Sequence, residues 1–229
     1  MAALRLFTLG GTDAETALIR SILERHGFSY ALHDLEAPGE PERLRRRLLR
    51  AGERTPPPPV LLVGRRTIWS ASDMPPLEAS GELQRELSRA REAHRARAEY
   101  KWGVACLHGT GGVRRDPFGA AAWFRRSARR GDPKGMAALA TLLVRGEAGL
   151  VDEGEASRWY EEAGKRGNHS ALLALGCLRL RQAERVPEGA RNRLIAATRA
   201  LDAAAAQGVA DAHVCTRACM HAARASVRA

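Results

Sequence analysis

The stretch DPFGAAAWFRRSARRGD at residues 116–132 returns 36 positions later as DEGEASRWYEEAGKRGN at residues 152–168. The aligned pairs share an aspartate, an alanine, a tryptophan, a second aromatic residue and a glycine: Asp116 and Asp152, Ala120 and Ala156, Trp123 and Trp159, Phe124 and Tyr160, Gly131 and Gly167. A period of about 20–50 residues is typical of helical solenoids, whose units bury their apolar faces by stacking. The spacing therefore predicts a stack of antiparallel helix pairs.

A second pattern precedes each copy and predicts the first helix of each pair, helix A, with the repeated stretch as helix B. It has a small residue, then an apolar residue and a small one: Ala98, Trp102 and Gly103; Gly135, Leu139 and Ala140; Ala171, Leu175 and Gly176. Small residues let paired helices approach closely, and Gly131, Gly167 and Gly208 suit the left-handed conformation that ends a helix. The aromatic residues Trp123, Trp159 and Tyr160 are accordingly predicted as core residues first.

These features resemble the Sel1-like repeat, which is related to the tetratricopeptide (TPR) repeat, over roughly residues 96–224. The resemblance implies an all-α solenoid of about three repeats, with residues 210–224 as a capping helix. It also implies a non-catalytic scaffold or adaptor that binds protein partners on the concave side, where the A helices lie. On that side, Lys101 and Arg145 are the predicted partner contacts.

The first 90 residues follow a different pattern, with the predicted order β-α-β-α-β-β-α. A strand before Gly10 and Gly11 leads into a helix whose apolar stripe is predicted to contain Leu18, Ile19, Ile22 and Leu23. The arginine-rich stretch 40–52 predicts a second helix, and TPPPPVLLV at 55–63 predicts a proline-led strand. The final helix is predicted over residues 77–100 and to run without a break from Glu82 to Leu107.

This order resembles the glutaredoxin branch of the thioredoxin fold across about residues 3–88. The resemblance places the family's cis-proline at Pro58, and it places Ser72 and Asp73 where glutathione's γ-glutamyl end is held. The family's Cys-x-x-Cys falls on Asp13 and Thr16, and residues 1–105 contain no cysteine. Disulfide exchange needs a thiolate, so we expect this domain to be redox-silent and the protein not to be an enzyme.

The predicted fold class is thus α/β plus all-α. A degenerate glutaredoxin-like domain at 1–90 precedes a Sel1-like helical repeat domain at 91–229. Charge separates the two parts. Residues 1–90 carry 13 Lys/Arg against 12 Asp/Glu, whereas residues 91–229 carry 24 against 14. A strongly positive solenoid favours an acidic protein partner.

Two other functions stay open as alternatives to the scaffold. One is a glutathione- or thiol-linked redox role that uses Pro58, Ser72 and Asp73, with a cysteine supplied by the repeats or by a partner. The other is nucleic-acid binding, which rests on the arginine runs at 43–50 and 125–130 and ranks lower because no recognised binding motif accompanies them. LGGTDAET at 9–16 matches neither a P-loop nor a dinucleotide-binding pattern.

No cofactor or metal is expected. The C-terminal cluster His213, Cys215, Cys219 and His221 cannot direct all four side chains to one ion from a single helix, so both cysteines are predicted to be structural. No run approaches the roughly 18 apolar residues of a membrane span. The N-terminus lacks the features of a secretory signal, which favours the cytoplasm.

Overall fold

A computed structural model of the chain describes residues 4–8, 14–34, 59–63, 67–149, 151–186, 189–209 and 212. The chain divides into two compact units, Met1–Arg95 and Ala96–Ala229. Several sequence-based predictions fall outside the described residues: the positions of Asp13 and Pro58, the helix at 40–52, the C-terminal His/Cys cluster and all of the capping helix except its buried residue Ala212.

The first unit contains a four-stranded sheet. Its strands are β1 (Leu4–Thr8), β2 (Tyr30–Asp34), β3 (Val60–Val63) and β4 (Thr67–Ser70), in the order β2-β1-β3-β4. β1 is parallel to β2, whereas β1–β3 and β3–β4 are antiparallel. A parallel pair needs a crossover connection, and helix α1 (Ala14–Arg25) lies between β1 and β2 in the chain.

Helix α1 buries a stripe that differs by one residue from the predicted one. Ile19, Ile22 and Leu23 are at most 2% exposed and join the core with Leu6 of β1, but Leu18 is 39% exposed. The prediction for Leu18 was wrong because Thr16, three residues before Ile19, occupies the buried face instead. A small polar residue thus completes the stripe, which an apolar pattern alone does not reveal.

The predicted helix over 77–100 is in fact two helices. A 3₁₀ turn (Ala71–Asp73) leads into α2 (Met74–Ala79). Ser80 and Gly81 then separate α2 from α3 (Glu82–His108). Gly81 has φ of 68°, a left-handed conformation that favours glycine and interrupts the helix. The prediction of an unbroken helix from Glu82 to Leu107 is confirmed by α3.

The second unit is built from helices that alternate along the chain as A and B. The A helices are the end of α3, α5 (Pro133–Arg145) and α7 (His169–Arg185). The B helices are α4 (Pro117–Arg129), α6 (Glu153–Lys165) and α8 (Ala190–Ala206). Gly131, Gly167 and Gly208 have φ of 89°, 86° and 77°, so the predicted left-handed helix ends are confirmed.

Aspartates begin three of these helices. The side chains of Asp116, Asp132 and Asp152 accept backbone N–H bonds from Gly119, Gly135 and Glu155 at 2.9, 2.9 and 2.7 Å. Each bond satisfies a donor that the first turn of a helix leaves without a partner. The recurrent aspartate of the sequence pattern therefore has a local structural role.

Of the three aromatic residues predicted as core residues, Tyr160 is buried at 5% exposed, whereas Trp123 and Trp159 are half-buried at the edge of the same cluster. Phe124, the counterpart of Tyr160 in the first repeat, is 1% exposed. Trp102 also departs from expectation: it is 54% exposed, although Leu139 and Leu175, its counterparts in the next A helices, are at most 1% exposed. Within the described part of this unit, no B helix precedes α3 to cover that position.

Candidate protein-interaction site

A groove of about 340 Å³ follows the A helices of the second unit. Its floor consists of small side chains, Ala137, Ala138, Ala171 and Ala174, on α5 and α7. Polar and aromatic side chains complete the lining: Tyr100, Lys134, Thr141, Tyr160, Asn168 and Ser170. Alanine at these positions leaves room between neighbouring helices, so the same small residues that permit close packing also create the groove.

A part-buried pair of hydroxyl groups, on Tyr160 and Thr141, belongs to the groove lining. The Tyr160 Oη and Thr141 Oγ1 atoms are 2.9 Å apart, and Thr141 Oγ1 donates to the Ala137 carbonyl at 2.9 Å. Because that proton is used, the Tyr160 hydroxyl donates to Thr141. Burial raises the pKa of Tyr160 above its ordinary value, an effect that the Thr141 hydrogen bond and the charges of Arg145 and Arg181 partly offset. The phenol is therefore a neutral, fixed wall of the groove.

Asn168, which also lines the groove, joins two repeats. Its Nδ2 donates to the Pro133 carbonyl at 3.0 Å, and its Oδ1 accepts from the Ala171 N–H at 3.3 Å as the cap of α7. Lys134 and Ser170, both exposed, lie in the first turns of α5 and α7. Lys134 forms no ion pair with a described residue, so this part of the groove combines an uncompensated cation with two helix N-termini.

The predicted partner contacts do not line this groove. Lys101 is exposed on α3 directly after Tyr100, and Arg145 is exposed four residues after Thr141. The Arg145 guanidinium lies 3.3 Å from Glu147 Oε1, whereas Lys101 has no ion-pair partner among the described residues. Sequence reasoning missed Lys134 because the repeat pattern of the A helices begins at the next residue, Gly135.

The arginine run at 125–130 is largely engaged within the protein. Glu99, 5% exposed on α3, accepts two bonds from Arg130 Nε at 3.0 and 3.2 Å and lies 3.5 Å from Arg126 Nε. Arg125 lies 3.7 Å from Glu155 of the next repeat. These pairs join helices, so most of this run is not free to track a nucleic-acid backbone.

In the first unit, the structure describes three of the residues that the glutaredoxin resemblance singled out. Thr16 is buried on α1, while Ser72 and Asp73 are exposed in the 3₁₀ turn after β4. Asp73 Oδ2 accepts bonds from Ser70 N and Ser70 Oγ, both at 2.8 Å, and Ser72 Oγ is 2.7 Å from Ser70 Oγ. These bonds close the turn, and a glutathione contact there stays a prediction.

The described residues contain neither a metal site nor a membrane-spanning helix. No group of three or more histidine, cysteine or acidic side chains is arranged to hold a metal ion in that part of the chain. None of the helices described there combines the length and the apolar character that a bilayer crossing requires.

Residues 96–132 and 133–168 each match the family model of the Sel1 repeat. Two Sel1 repeats are present. The first contains the end of α3 with α4, and the second contains α5 with α6. Helices α7 and α8, predicted as a third repeat, lie outside the matched residues, so the Sel1 resemblance is confirmed over a shorter stretch than predicted.

Two solved structures match part of the chain. A Sel1 repeat protein from Oxalobacter formigenes is 25% identical over 54% of this chain and 48% of its own, with a TM-score of 0.43. The antigen c5321, described as a protective antigen of uropathogenic Escherichia coli strains displaying an SLR fold, is 26% identical over 55% of this chain and 26% of its own, with a TM-score of 0.43. The chain thus spans about half the length of the first and a quarter of the second. No curated protein matches it significantly.

Proposed function

We propose that this protein is a non-catalytic scaffold or adaptor that holds a protein segment in the groove along its A helices. Sel1 repeat proteins generally mediate protein–protein interaction, and two such repeats form most of the groove wall. The observation that carries the proposal is the continuity of the groove over three successive A helices, with Tyr100, Ala138 and Ala174 contributed by α3, α5 and α7. An extended segment of a partner fits such a surface.

The proposed partner segment is acidic. Lys134 in the groove and Lys101 beside it carry no compensating carboxylate among the described residues. Arg145 is a weaker contact in this proposal, because Glu147 already neutralises its charge. Exposed cations at the rim act mainly on association rate and salt dependence.

The test begins with partners recovered from a native lysate and identified by mass spectrometry, followed by binding measurements with the purified partner. Ala138→Trp fills the groove, and Lys134→Glu reverses the charge of a lining residue. Ala122→Trp, on an exposed position of α4, is the control for adding an indole. The proposal requires both groove variants to weaken binding and the control to leave it unchanged. If Ala138→Trp and Lys134→Glu bind the partner as tightly as the wild type does, the groove is not the binding site.

For the first unit, the proposal is a degenerate glutaredoxin-like domain without redox activity. The strand order β2-β1-β3-β4 and the order of the described elements support this assignment. The absence of cysteine from residues 1–105 supports the loss of disulfide-exchange activity. The alternative, glutathione bound at Ser72 and Asp73, is tested by the effect of glutathione on the melting temperature.

A further inference from the structure

The two Sel1 repeats carry opposite net charges. Residues 96–132 contain eight Lys/Arg against three Asp/Glu, whereas residues 133–168 contain five against six. Helix α4 contributes the largest share of this difference, since it contains three arginines, Arg125, Arg126 and Arg129, and no acidic residue. Between the two Sel1 repeats, the positive charge is therefore concentrated on the first.

Part of this charge remains uncompensated at the surface. Glu99 is one carboxylate shared by two guanidiniums, and the closer contacts go to Arg130. Arg126 keeps 57% of its side chain exposed, and Arg129, one turn further along α4, forms no ion pair with a described residue. Arg126 and Arg129 are neighbours on the helix surface, so their charges add locally.

A stacked pair of indoles, one exposed and one half-buried, adjoins these cations. Trp102 of α3 stacks on Trp123 of α4, with ring centroids 6.5 Å apart and ring planes 27° from parallel. The Arg126 guanidinium lies 4.9 Å from the Trp123 centroid. Trp102 is two residues beyond Tyr100, which is about 200° around a helix, so it faces away from the groove. Trp102 is 54% exposed although it stacks on Trp123.

We propose that Trp102, Trp123, Arg126 and Arg129, called here the tryptophan surface, bind an acidic protein segment that carries an apolar side chain. The apolar side chain packs on the exposed face of Trp102, and carboxylates beside it pair with Arg126 and Arg129. Tryptophan and arginine are the residue types that most often dominate binding energy at protein interfaces. The surface lies on a different face of α3 from the groove, and it rests on the proposed function only in that its ligand is a protein.

The charge of this surface favours an acidic protein segment over a second copy of the chain or a single-stranded nucleic acid. A second copy of the chain would present the same positive repeat, which opposes self-association through matching surfaces. Single-stranded nucleic acid stacks on aromatic side chains but also needs a groove of free cations along its backbone. Here Arg125 and Arg130 are already paired with Glu155 and Glu99, so only Arg126 and Arg129 remain for such a track.

The test uses the full-length protein and short fluorescein-labelled peptides of Asp and Glu with two central leucines, followed by anisotropy. We expect Trp102→Ala and Arg129→Glu each to weaken binding by at least about tenfold. The matched controls are Phe118→Ala, at an apolar side chain that is 65% exposed elsewhere in the unit, and Arg114→Glu, at an exposed arginine without an ion-pair partner among the described residues. Both controls should change affinity by less than about twofold.

Several outcomes would overturn the tryptophan surface. One is equal affinity for a peptide whose leucines are replaced by serine, and another is an equal loss in the Phe118→Ala control. Tighter binding of labelled oligothymidine would assign the surface to nucleic acid, and a dimer abolished by Trp102→Ala would assign it to a second copy. The Ala138→Trp variant separates the two proposals: a peptide sensitive to it and indifferent to Trp102→Ala occupies the groove, which leaves the proposed function standing alone.

Discussion

Trp123 and Trp159 occupy the same position in the two Sel1 repeats, yet their indoles meet opposite charges. The Arg126 guanidinium lies over the Trp123 ring, 4.9 Å from its centroid, whereas the Trp159 Nε1 donates to Glu155 Oε1 at 3.0 Å. Both rings pack against the same hydrophobic cluster. The repeat thus fixes how the tryptophan ring packs, but the charged residue beside the ring differs between the two repeats. Two similar repeats therefore present different surfaces.

Gly103→Ala is expected to lower the free energy of unfolding by about 1–3 kcal/mol, as an over-packed core does. A Cβ at this position would lie 2.6 Å from the Phe124 ring, which is itself buried. Gly154→Ala, at an exposed helical position, is the control and should change stability by less than about 1 kcal/mol. Urea denaturation of both variants provides the measurement. Equal effects at the two sites would contradict the close packing of α3 on α4.

Glu99→Gln is expected to lower the free energy of unfolding by about 1–3 kcal/mol, because it removes the buried carboxylate that pairs with Arg130 and Arg126. The partial exposure of both arginines keeps this below the cost of a fully buried pair. Glu161→Gln, whose exposed carboxylate pairs with Lys165 and Arg179, should cost less than about 0.5 kcal/mol. Thermal unfolding monitored by circular dichroism compares the two, and a smaller loss at Glu99 than at Glu161 would refute the ranking.

Tyr160 is expected to make the protein less stable at high pH. Burial raises the pKa of its phenol in the folded state above the ordinary value of 10.0. The stabilising contribution is complete below pH 10.0 and is lost as the pH rises towards the raised value, because the unfolded chain releases the proton first. Denaturation midpoints above pH 10 should therefore fall more for the wild type than for Tyr160→Phe. Parallel pH profiles of the two proteins would show that the phenol ionises normally.

Glutathione is expected to leave the melting temperature unchanged, and the protein should show no turnover with glutathione and a mixed-disulfide substrate. No turnover is expected because Asp13 and Thr16 stand at the two cysteine positions of the resembled family, where disulfide exchange needs a thiolate. A ligand that binds only the folded state must raise its stability. A melting-temperature rise that Asp73→Ala abolishes would establish the glutathione-binding alternative instead. Activity that survives removal of all four cysteines would show that the redox site lies elsewhere.

Zinc is not expected to be bound by the C-terminal cysteines. Cys215→Ser and Cys219→Ser should cause only a modest loss of stability, since cysteine at such positions acts as a small apolar residue. Elemental analysis of protein purified without chelator measures the metal content directly. One zinc per chain, lost in either variant, would replace the structural role with a metal site.

The sequence by itself determined the features that depend on neighbouring residues. The 36-residue period, the aspartates that begin the helices and the left-handed glycines at 131, 167 and 208 all follow from local geometry. The continuity of α3 from Glu82 was predictable for the same reason, since no proline interrupts it. The break at Gly81 was missed because a single glycine inside a helical pattern is tolerated unless the following turn needs a positive φ.

Tertiary structure decided the features that depend on distant neighbours. Whether Trp102 is buried like Leu139 depends on a preceding B helix, which the sequence of α3 does not encode. Glu99 and Arg130 meet across 31 residues, and the groove collects side chains from Tyr100 to Ala174. Periodicity specifies which face of a helix is apolar, but the partner on each face is set only when the helices stack. Exposure and charge pairing, from which both proposed binding surfaces arise, are therefore properties of the packed chain.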